Sequence, residues 1–275
     1  MTLQIGSTGD LVKQVQAFLG LTADGNFGPN TKTAVVAWQT KNGLTADGIV
    51  GPASLSKMEL GVAAPVSSGP INYAALNGVL PTEVITLFPD NFAKYEINTK
   101  LRAAHFIAQI AHESDNFRIK TESLFYTTPQ QLVNVWPGRF NLDGSNGKHN
   151  ANDYIRNEQK LANVVYNGRM GNDQPNDGYI YRGGGFLQLT GKDSYKGYST
   201  YLGKPLDVTA NLLHTDNFYA LDAALWEYAI ADKLNLKADQ GSTDDVVKQI
   251  TRIINGGYVG LDKRTENFHK YFGLL

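Results

Sequence analysis

Two glutamates, Glu113 and Glu122, stand nine residues apart in the stretch Ala111-His112-Glu113-Ser114-Asp115-Asn116-Phe117-Arg118-Ile119-Lys120-Thr121-Glu122. Two carboxyl groups facing one cleft are what hydrolysis of a glycosidic bond requires: one protonates the leaving oxygen while the other activates water. Spacing alone decides little, because most such pairs are solvated surface charges. One helix running through both would hold them about 13 Å apart along its axis. The residues between them argue for a break instead. Asp115-Asn116 can turn the chain, and Phe117, Ile119 and Thr121 alternate with Arg118 and Lys120 as in a strand. The expectation is a helix end and a hairpin strand, each carrying one carboxylate.

The elements that must position this pair are mostly helical. Leu101, Ala104, His105, Ala108 and Ala111 recur at helical steps, with Ile107 and Ile110 broadening the stripe, so a core helix ends near Glu113. Partial burial there would keep a general acid protonated, whereas Glu122, beside Lys120 and Thr121, would stay ionised. Upstream, Pro81-Thr82-Glu83 opens a segment with Val84, Ile85, Leu87 and Phe88. Downstream helices are expected over 157–167, 212–231 and 244–254, and the Gly-, Asn- and Asp-rich residues 134–152 read as an excursion.

A second stretch with chemical potential is Tyr179-Ile180-Tyr181-Arg182-Gly183-Gly184-Gly185-Phe186-Leu187-Gln188-Leu189-Thr190-Gly191. Its glycines permit close backbone approach, and Gln188 and Thr190 fall on one face. It is not a phosphate loop, since neither Gly-Lys-Ser/Thr nor Gly-x-Gly-x-x-Gly opening a helix is present. Ile253-Ile254-Asn255-Gly256-Gly257 reads as a helix closed by a glycine cap.

Residues 1–60 hold an internal repeat. Leu21-Thr22-Ala23-Asp24-Gly25-Asn26-Phe27-Gly28-Pro29 returns 23 residues later as Leu44-Thr45-Ala46-Asp47-Gly48-Ile49-Val50-Gly51-Pro52. Each copy is an Asp-Gly turn followed by proline at a first helical position. The alternating acidic ligands of a calcium loop are missing. Upstream, Asp10 could cap a helix carrying Leu11, Val12, Val15, Phe18 and Leu19. A small three-helix domain follows from this, and Gly61-Val62-Ala63-Ala64-Pro65-Val66-Ser67-Ser68-Gly69-Pro70 reads as a linker.

Composition narrows the function classes. Hydrophobic residues make up 42% and charged residues 19% of the 275, which is ordinary for a globular chain. A formal net charge of −1 gives no footprint for nucleic acid. There is no cysteine, hence no disulfide or thiolate metal site. The N-terminus lacks the basic and apolar regions of a secretory signal, and no run is long enough to span a membrane. The expectation is no membrane insertion and, if the substrate lies outside the cytoplasm, another component to carry the protein there; the resemblance described next implies synthesis in a bacterial cytoplasm, action on the wall after the membrane has been permeabilised, and a monomeric state.

The N-terminal repeat, with Gly6-Ser7-Thr8-Gly9 and Ala37-Trp38-Gln39, resembles the peptidoglycan-binding type 1 module. Beyond the linker, His112-Glu113-Ser114, Glu122-Ser123-Leu124-Phe125-Tyr126, Tyr181 to Gly191 and Ile254-Asn255-Gly256-Gly257 resemble glycoside hydrolase family 19 in order and content. The module order is similar to that of phage endolysins. The resemblance implies a wall-binding domain at 1–60, a linker at 61–70 and a catalytic domain at 71–275. It also implies a mainly α fold: a three-helix domain followed by a lysozyme-like, α-rich (α+β) domain with a short β-hairpin. Its implied roles are general acid for Glu113, general base for Glu122 and water-holding for Thr190. Gln188, Tyr195, Asn255, Arg264, Tyr126 and Arg182 are implied on the sugar side, Arg264 lying near the acid. No cofactor or metal is implied, and the partner is the glycan strand of bacterial peptidoglycan. Plant chitinases of this family space the two glutamates further apart and carry cysteines, so the nine-residue spacing favours peptidoglycan over chitin.

Three alternatives stay open beside an N-acetylmuramidase: a lytic transglycosylase needing only Glu113, a chitinase on the same scaffold, and a wall binder without catalysis. A zinc hydrolase fails, because Asn116 stands where His-Glu-x-x-His needs its second histidine. His105 and His112, seven apart on one helix face, read as packed or hydrogen-bonded core residues.

Overall fold

A computed structural model of the chain describes residues 2–58, 60 and 70–275. The linker expected at 61–70 lies outside the described residues, Pro70 excepted.

The N-terminal segment has three helices, α1 (Asp10–Phe18), α2 (Pro29–Lys41) and α3 (Pro52–Met58). Pro29 and Pro52 open α2 and α3, as the repeat implied. Gly9 rather than Asp10 stands at the cap of α1. Leu3, Val12, Val15, Phe27, Val35, Val50 and Met58 form the core. The repeat is also a repeat of bonds. Gln16 Nε2 donates to Asp24 Oδ1, the Asn26 carbonyl and Thr31 Oγ1, while its Oε1 accepts from the Gly25 amide. Twenty-three residues on, Gln39 does the same to Asp47, Ile49, Ser54 and Gly48. Each buried glutamine thus staples its own Asp-Gly turn, which fixes both turns without a metal.

The remaining residues build α4 (Thr82–Ile85), α5 (Phe88–Lys94), α6 (Lys100–Glu113), α7 (Pro129–Val135), strands β1 (Phe140–Asn141) and β2 (His149–Asn150), α8 (Glu158–Tyr166) and α9 (Asp177–Ile180). They continue with α10 (Lys192–Leu202), α11 (Leu206–Thr215), α12 (Asn217–Leu225), a π-helix (Trp226–Ala231), α13 (Asn235–Ala238), α14 (Asp244–Asn255) and α15 (Leu261–Leu274). The hub is α6. Thr99 caps it by accepting from the Arg102 amide, and Ala103 to Ala111 are all buried. Phe106 meets Phe92 and Tyr228 edge-on at 5.4 and 5.3 Å, tying α5 and the π-helix to it.

The chain is mainly helical, as expected, and its only named sheet among the described residues is β1 with β2. These strands pair in parallel, Phe140 opposite His149, inside the polar excursion and not at Glu122. Two sequence expectations need correction. The helix expected over 212–231 breaks at Asp216, whose extended backbone and side chain, accepting from the Phe218 amide, cap a new helix. The hairpin strand expected from Phe117 is absent: Asp115, Asn116 and Phe117 all have positive φ, at 47°, 57° and 62°. Their alternation is a left-handed turn that buries Phe117 against Phe88 and Phe186.

Candidate active site

Glu122 follows Thr121, which bridges Gly184, and its own amide donates to the Gly183 carbonyl at 2.8 Å. Its carboxylate is cradled by neutral donors: Tyr166 Oη donates to Oε1 at 2.7 Å, and the Gly183 amide donates to Oε2 at 3.1 Å. A side chain at Gly183 would stand 2.7 Å from Gln188 Oε1 and 3.1 Å from Glu122 Cβ, so glycine alone lets these groups close up. Gln188 holds a left-handed φ of 58°, with Nε2 donating to the Gly185 carbonyl; Thr190 Oγ1 donates to the Gln188 carbonyl at 2.7 Å. With its proton committed there, the Thr190 oxygen keeps its lone pairs free to accept from a water. Burial first, and then the charge of Glu122, lifts the Tyr126 phenol above the usual range. Lys120 turns away to Asn217 at 2.8 Å, so the lysine expected to accompany Glu122 does not do so.

Glu113 ends α6. It is partly buried there, and a guanidinium faces it: Arg264 Nη2, on α15, donates to Glu113 Oε1. Arg264 is only 1% exposed and Glu113 23%, so the pair is anchored from the inside. Arg264 Nη1 donates to Gln109 Oε1 at 2.8 Å, and Gln109 Nε2 donates to Thr251 of α14. Arg264 is thus a buried link between Gln109 and Glu113, close to the carboxyl group that the resemblance names as the acid. His112 packs under the loop before α15, since a side chain at Gly260 would meet its ring at 2.2 Å. Burial foremost, with Arg264 next, lowers its pKa.

Ser114 joins the two carboxylates' settings. Its hydroxyl donates to the Ile110 carbonyl at 2.6 Å and accepts from the Phe117 amide at 3.0 Å, pinning the left-handed turn at the end of α6. Tyr195 is fully buried, and its hydroxyl donates to the Arg182 carbonyl at 2.7 Å, supporting the glycine loop from below. Arg182 folds onto Tyr179, 4.1 Å above the ring and donating to its carbonyl, and makes no hydrogen bond to either carboxylate among the described residues. Asn255 is exposed at the end of α14, before the left-handed Gly256. A cavity of about 420 Å³ lined by Asp244, Asp245, Lys248, Asp262, Glu266 and His269 shares no residue with either cluster.

Around the two carboxylates sequence reasoning missed Tyr166 and Gln109, and elsewhere in the fold the half-buried Glu227. Gln109 and Glu227 carried a usable signal, a polar side chain inside an apolar helical run. Tyr166 carried none, being one aromatic among the apolar residues of α8.

Residues 8–58 match the family model described as "Putative peptidoglycan binding domain". Over 173 residues the chain is 33% identical to a glycosyl hydrolase family 19 domain-containing protein of Haemophilus influenzae, covering 60% of this chain and 76% of that protein. A crystal structure of Burkholderia AP3 phage endolysin aligns over 99% of this chain and 98% of its own, at 18% identity and a TM-score of 0.33. The class these findings define is a glycoside hydrolase that carries a peptidoglycan-binding segment. The chain belongs to the glycosyl hydrolase family 19 domain-containing proteins.

Proposed function

We propose that this protein is an endolysin: residues 1–60 hold it on bacterial peptidoglycan, and residues 71–275, beyond a linker at 61–70, hydrolyse β-1,4 bonds of the glycan strand as an N-acetylmuramidase. The observation that carries this reading is the contrast between the two carboxylates. Glu113 is anchored by a buried arginine, whereas Glu122 is held by neutral donors beside a threonine able to hold water.

In the proposed reaction a water sits between Glu122 and Thr190 Oγ1. Glu122 takes one of its protons as the oxygen attacks the anomeric carbon, and Glu113 delivers its proton to the departing glycosidic oxygen. The products are a sugar with a free reducing end and a shortened strand, and the protons return through solvent. Gln188, Tyr126 and the exposed Asn255 line the sugar side. Binding through the N-terminal segment raises the local concentration of glycan at the site.

Mass spectrometry of fragments released from purified peptidoglycan tests the reading. Reducing-end muramic acid from the wild type, lost in both Glu113→Gln and Glu122→Gln, is the expected result. Reducing-end glucosamine would change the bond assignment. Anhydromuramic products surviving Glu122→Gln would make the enzyme a transglycosylase, and no fragments from the wild type would leave only a wall binder.

A further inference from the structure

His214, in the last turn of α11, meets both chain segments that hold Glu122, and the mechanism above gives it no task. Its ring is half-buried. Nδ1 stands 3.2 Å from the hydroxyl of Thr121, the residue before Glu122. Cε1 would lie 2.9 Å from a Cβ on Gly184, the residue after the Gly183 amide that donates to Glu122 Oε2. Nε2 stands 3.3 Å from the carbonyl of Ile180, which closes α9 just before the glycine loop.

The backbone makes the same junction. The Glu122 amide donates to the Gly183 carbonyl, and the Gly185 amide donates to the carbonyls of Lys120 and, on α11, Leu213, at 2.9 and 3.2 Å. Thr121 turns its hydroxyl to α11, while Glu122 turns its carboxylate to Tyr166 and Gly183. The place of the ring proton follows from the partners. The Ile180 carbonyl can only accept, and Tyr195 Oη, 3.4 Å from Nε2, has committed its proton to the Arg182 carbonyl. Nε2 therefore carries the hydrogen, and Nδ1 accepts from Thr121, whose hydroxyl also lies 3.3 Å from the His214 carbonyl. Burial first, and then Arg182, lower the His214 pKa to about 4, so the ring is neutral at neutral pH.

We propose that His214 is a positioning residue for Glu122, its Nδ1 holding the Thr121 hydroxyl and its Nε2–H the Ile180 carbonyl. This rests on Glu122 being the general base. One ring thereby ties the segment that carries the base to the loop that carries one of its two donors. Glu122 is held directly by Tyr166 and Gly183 and, through Thr121, by α11. Without the last hold the carboxylate shifts from the water it shares with Thr190, and a small misplacement of a reacting group is costly in rate. The attack slows, while the groups that grip the glycan stay in place.

The test is steady-state release of reducing ends from solubilised peptidoglycan strands by the full chain and by His214→Gln, His214→Asn, Thr121→Val and Glu122→Gln. A glutamine amide reaches the place of Nε2 and keeps only the Ile180 bond. An asparagine amide reaches the place of Nδ1 and keeps only the Thr121 bond. In His214→Gln kcat should fall about tenfold with KM unchanged, and His214→Asn should recover most of that loss. Thr121→Val should match His214→Gln, and the two combined should lose no more than either alone. A merely structural role would lower both His214 variants alike. Equal kcat for the two, or a loss confined to KM, overturns the proposal. Should both fail to fold, Thr121→Val decides, an unchanged kcat overturning it. Activity surviving Glu122→Gln would instead overturn the base assignment, and the proposal with it.

Discussion

Tyr166 donates its hydroxyl to Glu122 Oε1 at 2.7 Å, although 44 residues separate the two. The same carboxylate takes its other bond from the backbone of Gly183, so one helix and one glycine loop fix the proposed base from opposite sides. Burial and then Glu122 raise the Tyr166 phenol well above the usual range, so it remains a donor throughout the working pH.

Tyr166→Phe removes only that donor. Turnover on peptidoglycan should fall by about tenfold, while stability changes by no more than about 1.5 kcal/mol. Steady-state rates and a thermal melt measure both; an unchanged turnover would show that Gly183 alone suffices.

Gly184 has no room for a side chain. A Cβ there would stand 2.1 Å from Tyr195 Oη, which is buried, and 2.9 Å from His214 Cε1, which is half-buried. Gly184→Ala should destabilise by about 2–3 kcal/mol, whereas Gly203→Ala, which meets nothing within 4 Å but has a φ of 64°, should cost about 1 kcal/mol. Chemical denaturation of the two variants compares them directly.

Arg264→Ala strands Glu113 and Gln109 together. The expected loss is about 3–5 kcal/mol of stability along with most activity, since a buried charge pair is broken from one side. Arg264→Lys should keep more stability than activity, because an ammonium cannot bond Gln109 and Glu113 in one plane. Equal recovery of both by lysine would contradict the anchoring role.

Stability should also depend on pH in a stated direction. Glu227 rises from 4.5 to about 7 on folding, so its protonated form favours the fold below pH 4.5 and that contribution is lost as pH climbs through 7. His105 and His214 are depressed from 6.5 to about 4, chiefly by burial, so their contribution is present above 6.5 and lost as pH falls through 4. Glu227→Gln should therefore gain on the wild type between pH 5 and 8, by at most about 3 kcal/mol. Melting temperatures across that range check the sign.

The paired glutamines of the N-terminal segment should behave alike. Gln16→Ala and Gln39→Ala each leave a buried glycine amide, Gly25 or Gly48, without its acceptor. A loss of about 1–3 kcal/mol is expected for each, with a matching loss of binding to insoluble peptidoglycan. A large difference between them would mean the two turns are not equivalent.

The helices were legible wherever apolar residues kept a helical step, as in α6, α8 and α14, and wherever Gly-Pro marked a start, as at Pro29 and Pro52. The turn after Glu113 misled because Phe117, Ile119 and Thr121 alternate like a strand. The alternation arises from a left-handed run held by Ser114 and by the burial of Phe117, both tertiary effects. The break at Asp216 was readable in principle as a cap, but the apolar residues on both sides concealed it. Of the site, residue types and order could be read; orientation could not. Nothing in the chain near Tyr195 or Arg264 reveals that both are buried supports, because their partners lie far away in sequence.

The distance along the chain between Glu113 and Arg264 has a consequence for the order in which the protein comes into being. The glutamine staples of the N-terminal segment join residues 8 to 15 apart, so that part can fold from local contacts as soon as it is made. Glu113 must wait for a partner 151 residues downstream. A growing chain that has not yet reached Arg264 already has every residue of the proposed wall-binding segment, while the proposed acid still lacks its buried partner. On the proposed reading, competence to cut is thus one of the last properties the polypeptide acquires during synthesis.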